Sequence, residues 1–360
     1  MLRLLIACVG LSYLGIWVKA QSNSTFNAID LKVINGVQVQ TGTFSYAAFI
    51  YSDYGNEGSA CTGSLIAPNV VVTAAHCLFD EDIETNPSQI TVSVGSIYNI
   101  KYNTDIYSVS KSIPHPQYDA DTAINDIGLL ILSRNTDVKT FAKIYDSSIT
   151  TDMKATVAGW GVTSNSNTST VSDVLMSVPL EITESSQCKI YNPEYTNNNG
   201  GSICTATQDN QDSCYGDSGG PLALSSASGY PLLGLTSFGN GPSAALYANS
   251  GQRPPCAVNG GFGYYTHLFY YIDWIASTAS LSKSSLLYSS SNTTSSSSNS
   301  STSSTNTLTS GASSVASRVS SITSTLSSSM SRTSVVSGSC VSKIIFALYA
   351  LPFVIIPLLL

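Results

Sequence analysis

The sequence predicts an all-β fold for the central part of the chain. Short β-branched or aliphatic runs recur along it, as at residues 69–73, 90–94 and 127–132, and clusters of Gly, Asn and Ser separate them. Few long amphipathic stretches interrupt these runs, so the pattern favours a β-barrel architecture. Near the end of this region, we expect residues 271–276 to begin a closing helix.

The N-terminal residues 1–20 have the pattern of a secretory signal peptide. An early positive charge at Arg3 precedes an apolar core, and the small residue Ala20 ends it. A membrane-spanning anchor is the alternative, but the apolar run is short and Ser12 and Gly15 interrupt it. We therefore expect an extracellular protein, in which disulfides persist.

Residues 212–222 read Asp-Ser-Cys-Tyr-Gly-Asp-Ser-Gly-Gly-Pro-Leu and place Ser218 on a glycine-rich turn. A serine hydroxyl is a poor nucleophile at neutral pH, so it needs a base, a group that orients the base, and donors for the oxyanion. Glycines let the backbone bend sharply, so that N–H groups can converge on a substrate carbonyl. Alone, such a run is more often a surface loop.

Two further segments favour the chemical interpretation: residues 73–77 read Thr-Ala-Ala-His-Cys, and residues 125–130 read Asn-Asp-Ile-Gly-Leu-Leu. In the order His, Asp, Ser, the three segments resemble the trypsin/chymotrypsin family of serine proteases, over residues 33–278. The resemblance implies two six-stranded antiparallel β-barrels with a C-terminal helix and a cleft between the barrels. It also implies protein or peptide substrates, no cofactor, and a monomer.

The family pattern assigns a role to each motif. His76 corresponds to the general base, Asp126 to the carboxylate that orients it, and Ser218 to the nucleophile. The backbone N–H groups of Gly216 and Ser218 correspond to the oxyanion hole. The two remaining histidines, His115 and His267, are interpreted as structural.

Substrate specificity is suggested by Asp212, six residues before Ser218. In the family this position lies at the bottom of the primary pocket, with walls here from Ser237, Gly239 and Gly263. A carboxylate in a narrow pocket is costly without a cation, which an incoming Lys or Arg supplies. The alternative is an ordinary loop acid.

Two departures from the family pattern concern this pocket. Phe238 stands where the family usually has Trp, which preserves an aromatic wall. Residues 240–255 form a long insertion before Cys256 that must lie at the pocket rim. It either narrows the substrate range or acts as an exosite, or it reflects ordinary loop variation.

Residues 21–32 are expected to form an activation prosegment. Lys32 precedes Val33-Ile-Asn-Gly, which resembles the N-terminus that the family creates on activation. In the family the new ammonium, here that of Val33, turns inward and pairs with the acid before the nucleophile, here Asp217. The loss of one partner from a buried ion pair is expensive, so the pair would act as a switch.

Eight cysteines are present, of which Cys8 lies in the leader and Cys340 beside the C-terminal tail. Six cysteines allow about 15 connectivities, and the sequence alone does not choose among them. A metal site is the competing interpretation, but no Cys-x-x-Cys is present, and calcium is not implied because residues 96–100 lack an acidic pair. The resemblance pairs Cys61 with Cys77, Cys188 with Cys204, and Cys214 with Cys256.

The C-terminal part changes composition at about residue 279. Residues 279–339 are dominated by Ser and Thr, which predicts an O-glycosylated disordered stalk, and residues 340–360 end in an apolar run. Small residues precede this run, so we expect a GPI signal with lipid attached near Ser337 or Gly338, at the plasma membrane or cell wall. A retained membrane helix is the alternative. Glycosylation sequons occur at Asn23, Asn167, Asn292 and Asn299.

The sequence thus favours a secreted, surface-tethered serine endopeptidase, made as a zymogen, that cleaves after Arg or Lys. A net charge of -7 gives no basic surface for nucleic acid. The alternative functions are a catalytically silent relative that only binds proteins, and a surface adhesion protein.

Overall fold

The computed structural model describes residues 34–289, except 56, 167, 243 and 248–251. The predicted signal peptide, most of the stalk and the GPI tail lie outside the described residues. So do Lys32 and Val33 of the predicted activation site and all four sequons, and these features stay predictions.

Fifteen strands form in the described residues, together with four short α-helices and 3-10 helices at Ala75–Leu78 and Pro87–Gln89. The α-helices are α1 (Ser185–Cys188), α2 (Ala244–Tyr247), α3 (Ile272–Ala279) and α4 (Lys283–Leu286). The strands are β1 (Val37–Gln38), β2 (Ala47–Asp53), β3 (Gly58–Ala67), β4 (Val70–Thr73), β5 (Phe79–Asp80), β6 (Ile83–Glu84), β7 (Ile90–Val94), β8 (Ile106–Pro114), β9 (Gly128–Leu132), β10 (Lys154–Gly159), β11 (Met176–Ile182), β12 (Ser202–Ala206), β13 (Pro221–Leu224), β14 (Leu232–Asn240) and β15 (Phe262–His267).

The first barrel is closed and six-stranded, in the order β2-β3-β4-β9-β8-β7. Its neighbouring strands pair antiparallel, and β4 lies between β3 and β9. The β-branched run in β4 is fully buried, as expected for a strand with apolar side chains on both faces. The predicted strand at 127–132 begins one residue later, at Gly128, because the Ile127 N–H bonds within a turn to the Asn125 carbonyl.

The second sheet has the order β1-β11-β10-β13-β14-β15-β12. An additional pairing joins β11 to β12, where Glu181 faces Ala206 and Ile182 faces Thr205. This contact brings the sheet nearly to a barrel, with β1 as an added strand. Together with the first barrel and helix α3, it confirms the predicted fold class.

The C-terminal boundary predicted at residue 278 requires a correction. Residues 281–289 continue the folded body, since Leu286 is buried and Leu287 forms a parallel bridge with Ile144. Leu281, Leu286 and Leu287 supply apolar surface inside a Ser-rich segment, and their burial outweighs its general composition. None of the helices within the described ranges has the length and apolar character needed to cross a membrane.

Three disulfides form among the described residues, and they are the pairs that the resemblance implied. Cys61–Cys77 joins β3 to the 3-10 helix that carries His76, and its sulfurs are 2.00 Å apart. The others are Cys188–Cys204 and Cys214–Cys256. The last one ties the end of the 240–255 insertion to the Ser218 turn.

Candidate active site

His76 lies in the 3-10 helix directly after β4, where Cys77 anchors the turn to β3. Its backbone N–H donates to Asp126 Oδ1 at 2.9 Å, and its ring Nδ1 lies 2.8 Å from Asp126 Oδ2. Both oxygens of one carboxylate therefore hold the same residue, which fixes the imidazole in position and leaves Nε2 for other chemistry.

Asp126 is 1% exposed, at the turn before β9. The Ser237 hydroxyl donates to its Oδ2 at 2.5 Å, and the Thr266 hydroxyl donates to its backbone carbonyl at 2.7 Å. Ser237 and Thr266 belong to the second sheet, so the two halves of the protein meet at this carboxylate.

The two side chains shift each other's pKa. Burial by itself lowers the pKa of His76, but the charge and hydrogen bond of Asp126 outweigh it, and the pKa is raised from its ordinary value of 6.5. Burial by itself raises the pKa of Asp126, but the charge and hydrogen bond of His76, with those from Ser237 and the backbone, lower it. The pair favours a charged carboxylate that stabilises an imidazolium.

Ser218 lies in a turn that requires glycine. Gly216 and Gly219 both adopt left-handed backbone conformations, with φ of 97° and 74°. A Cβ at Gly219 would lie 2.0 Å from Thr73 Oγ1, so a side chain there would clash with β4. Thr62 holds the turn, because its N–H donates to the Ser218 carbonyl at 2.8 Å and its hydroxyl to the Gly216 carbonyl at 2.9 Å.

Three donors of this turn have no hydrogen-bond partner in the described part of the chain: the Gly216 N–H, the Ser218 N–H and the Ser218 hydroxyl. Free N–H groups on either side of Asp217 suit an incoming oxyanion. The Ser218 hydroxyl therefore makes no hydrogen bond to His76 in the described part of the chain. Such bonds at active sites are often long without substrate and tighten when substrate binds.

A cavity of about 440 Å³ joins these groups. His76 and Ser218 line it together with Asp212, Phe238 and Gly239. Phe238 stacks on Tyr264 with ring centroids 4.7 Å apart, which provides an aromatic wall.

Gly239 lines the cavity, whereas Gly263, which was also expected as a pocket wall, is not among its lining residues. A Cβ at Gly239 would approach no atom closer than 3.7 Å, so a larger side chain there would project into free space. A Cβ at Gly263 would lie 3.1 Å from Asp212 Oδ1, and a side chain there would therefore cover the carboxylate.

Asp212 is buried and accepts hydrogen bonds from neutral groups. The Ser213 N–H donates to Oδ1 at 2.8 Å, the Tyr265 hydroxyl lies 3.4 Å from the same oxygen, and Thr207 Oγ1 donates to Oδ2. Burial raises the pKa of Asp212 despite these bonds. No cation pairs with it within the described ranges.

Asp217 is 1% exposed, and its donors among the described residues are backbone N–H groups. The Gly161 N–H donates to Oδ1 at 2.7 Å, and the Cys214 N–H donates to Oδ2 at 2.9 Å. Burial raises the pKa of Asp217 to about 7, with a further contribution from the charge of Asp212. Ile34 is buried with Cys214, so the chain enters this region directly after the predicted activation site.

One group in the described residues has metal-ligand spacing, Cys61, His76 and Cys77. The two sulfurs are bonded to each other in a disulfide, which leaves the imidazole as a single ligand. A metal site needs several such ligands, so this group does not fit one.

The other two histidines lie away from the cavity. His115 packs against Tyr271 and Trp274, and His267 is buried in β15 with its Nδ1 2.9 Å from the Gly200 carbonyl. Burial lowers the pKa of both.

Sequence reasoning missed several partners of the site. Ser237 was expected only as a pocket wall, yet it donates to Asp126 from 111 positions away. Thr207 and Tyr265, which hydrogen-bond Asp212, carry no sequence signal of that role. The insertion supplies Pro254 and Pro255 to the cavity lining, in agreement with its expected place at the rim.

The chain is similar to proteins of one family. The family model described as Trypsin matches residues 33–275. Trypsin-1 of Astacus astacus is 31% identical over 69% of this chain and 100% of its own length. Trypsin-3 of Salmo salar is 33% identical over 70% of this chain and 94% of its own length, and Mast cell protease 8 of Mus musculus is 34% identical over 54% and 77%. With this match over well over half of its length, the chain belongs to the trypsin family of serine proteases.

Proposed function

We propose that this protein is a secreted, cell-surface serine endopeptidase that cleaves peptide bonds after Arg or Lys. His76, Asp126 and Ser218 carry the reaction, and the protein is made as a zymogen cleaved after Lys32. The observation that supports this most is that one cavity is lined by His76, Ser218 and an uncompensated buried carboxylate, Asp212.

The reaction follows from the groups around this cavity. Ser218 Oγ adds to the substrate carbonyl carbon while His76 Nε2 takes the hydroxyl proton. The carbonyl oxygen becomes an oxyanion, and the free N–H groups of Gly216 and Ser218 donate to it. The peptide C–N bond then breaks as His76 returns the proton to the leaving amine. Water repeats the sequence on the acyl-enzyme, which releases the acid and restores Ser218.

Asp126 supports this proton transfer without taking the proton itself. Its two oxygens hold the His76 backbone and Nδ1, so Nε2 stays directed to the reaction. The positive charge that His76 gains is stabilised by the buried carboxylate, whose own pKa is lowered.

The preference for Arg and Lys follows from Asp212. Burial disfavours its charged form, and an entering ammonium or guanidinium compensates that cost. Gly239 leaves room for a long side chain in the cavity.

Activation is proposed to depend on Asp217. Cleavage after Lys32 frees the Val33 ammonium, which pairs with this buried carboxylate. The pair orders the adjacent turn that carries Gly216 and Ser218, because Asp217 lies between them in the chain. The Lys32 site fits the proposed specificity, so the enzyme can cleave its own precursor.

Delivery to the surface is proposed from the ends of the chain. A signal peptide over residues 1–20 directs export, and a GPI lipid near Ser337 or Gly338 anchors the protein through the Ser/Thr-rich stalk. Phosphatidylinositol-specific phospholipase should release the protein from intact cells, with a wall-digesting enzyme as a parallel treatment. Recovery of residues 353–360 in the mature protein would instead indicate a retained membrane helix.

The function is tested by incubating the full-length protein, cleaved after Lys32, with a mixed peptide library. Cuts after Arg and Lys support the proposal, and cuts after large apolar residues contradict the assigned specificity. Complete absence of cleavage by the cleaved wild-type protein would favour the alternative, a catalytically silent relative with a binding or adhesion role.

A further inference from the structure

A second cavity of about 460 Å³ lies beside the first. The two cavities share Tyr215, Pro254 and Pro255 among their lining residues. Tyr215 directly precedes Gly216 in the chain, so the shared wall adjoins the free N–H groups of the Ser218 turn. A peptide bound across the first cavity can therefore extend into the second.

Two segments line the second cavity besides Tyr215: one supplies Val162, Ser164, Asn165, Ser166 and Ser169, and the other, the insertion, supplies Tyr247 and residues 252–255. Asn165 joins the two segments, because its side-chain amide donates to the Cys256 carbonyl at 3.1 Å and accepts from the Cys256 N–H at 2.8 Å. The Tyr215 hydroxyl donates to the Pro254 carbonyl at 2.9 Å. These bonds join the C-terminal end of the insertion to Asn165 and to Tyr215 beside the Ser218 turn.

Arg253 gives this cavity a positive charge. Its guanidinium lies over the Tyr215 ring, 5.0 Å from the centroid, and it forms no ion pair with any residue that the structure describes. No Asp or Glu is among the described residues that line the cavity, and Arg253 is the one Lys or Arg among those lining either cavity. A guanidinium over an aromatic face keeps its in-plane N–H donors for a carboxylate, which it can bind with two bonds.

The charge of Arg253 stands out against the rest of the molecule. The chain has a net charge of -7, so its average field repels acidic peptides. A single unpaired cation beside the cleavage site therefore changes which acidic peptides can bind there.

We propose that the second cavity is a substrate subsite that binds an acidic side chain, Asp or Glu, within a few residues of the cleaved bond. The subsite rests on the proposed function and deepens it: the preferred substrate combines Lys or Arg at the cut with an acid nearby. Arg253 is the specificity-determining residue, and Asn165 and Tyr215 position the segment that carries it.

The test uses the full-length protein cleaved after Lys32 and pairs of peptides with one central Lys. Within each pair, Glu replaces Gln at one of the three positions on either side of that Lys, and the C-terminus is amidated. At one position the wild-type protein should cleave the Glu peptide about five-fold faster, the range of an exposed ion pair. Arg253→Gln should reduce this rate ratio to about one, and Arg253→Glu should invert it.

Arg134 provides the matched control. It also lies over a tyrosine ring, that of Tyr107 in β8 of the first barrel at 4.1 Å, and it lines neither cavity. Arg134→Gln removes the same charge from the protein and should keep the wild-type ratio. An unchanged ratio in Arg253→Gln, or an equal loss in Arg134→Gln, would overturn the subsite. Peptides with a free C-terminal carboxylate provide a further comparison. If Arg253→Gln slows the cleavage of these peptides but not of the amidated ones, Arg253 binds the C-terminal carboxylate and the proposed side-chain subsite is overturned.

Failure of the subsite is distinguishable from failure of the catalytic assignment. Binding of the same peptides to the Ser218→Ala protein, followed by fluorescence anisotropy, needs no turnover. Tighter binding of the Glu peptide that is lost in Ser218→Ala/Arg253→Gln supports the subsite even if the wild-type protein cleaves nothing. Equal binding of the Glu and Gln peptides contradicts the subsite even if the protein cleaves both after Lys.

Discussion

Asp126 precedes β9 of the first barrel, and Asp217 lies in the turn before β13 of the second sheet; each is 1% exposed. The pKa of Asp126 is lowered, whereas that of Asp217 is raised to about 7. The difference lies in their partners within the described residues, since Asp126 holds a histidine ring and Asp217 holds two backbone N–H groups. Two equally buried carboxyl groups therefore have pKa values shifted in opposite directions, depending on whether a group that can carry positive charge is in contact.

Asp212 resembles Asp217 in this respect, because its partners are neutral and its pKa is raised. The first barrel thus presents a completed pair, His76 and Asp126, whereas the second sheet presents two carboxylates that pair with no cation among the described residues. In the proposed function, proteolysis supplies one cation, the Val33 ammonium, and substrate supplies the other.

The largest expected effect is the loss of the nucleophile. Ser218→Ala should reduce kcat by about 10⁶, since the remaining groups cannot act without it. The fold should survive, because the Ser218 hydroxyl makes no hydrogen bond with another described residue. Hydrolysis of a Lys ester and thermal unfolding measure the two effects. Activity near that of the wild-type protein would contradict the assignment.

The second expected effect concerns Asp212. Asp212→Ser should abolish the preference for Lys and Arg, because a cationic side chain would enter the cavity without a partner. The binding free energy of that side chain should become about 2–5 kcal/mol less favourable. The ratio of kcat/KM for a Lys substrate to that for a Leu substrate measures this. A ratio as high as that of the wild-type protein would show that another group recognises the cation.

The third expected effect is a pH dependence of stability in the uncleaved precursor. The folded-state pKa of Asp217, about 7, lies above the ordinary value of 3.8, so the folded protein holds an extra proton between these values. The contribution of Asp217 to stability should fall as pH rises from about 4 through 7, by on the order of 4 kcal/mol. Asp217→Asn should remove this slope.

Urea unfolding at several pH values, compared between precursor and variant, isolates the contribution of Asp217. Cleavage after Lys32 should also reduce the slope, because the ammonium stabilises the charged carboxylate. Parallel curves for the wild-type precursor and Asp217→Asn would show that this carboxylate does not titrate on folding.

The smallest expected effect is a histidine titration. The chain has three histidines, and the pKa of His76 is raised from 6.5 while those of His115 and His267 are lowered. NMR should therefore show one imidazole titrating above 6.5 and two below it. Asp126→Asn should lower the pKa of His76 below 6.5, because burial then acts alone. In the wild-type protein, the activity should fall on the acid side of the pH profile with the pKa that NMR gives for His76. Three histidine pKa values near 6.5 would contradict the interaction described for His76 and Asp126.

The site residues and barrel strands that the sequence predicted all lie in contiguous motifs. Each of His76, Asp126 and Ser218 lies in a short run that identifies it, and the β-branched runs at β4 and β7 indicate the barrel strands. These features depend on local spacing and periodicity, which a sequence displays directly.

Contacts through space explain what the sequence could not predict. Ser237 reaches Asp126 because two distant strands converge there, and no local pattern marks that pairing. Residues 281–289 are folded because Leu286 finds a buried position beside Ile144, although the surrounding composition is that of a stalk. In both cases the deciding interaction lies outside the segment itself.

We propose that the Ser218 turn becomes competent only when Asp217 gains its cation. The test applies a fluorophosphonate probe, which bonds covalently to an activated serine, to the Lys32→Gln precursor and to wild-type protein cleaved after Lys32. We expect labelling of the cleaved protein on Ser218, mapped by mass spectrometry, and little labelling of the uncleaved variant. Equal labelling of both forms, or cleaved protein that carries no label on Ser218, would contradict it.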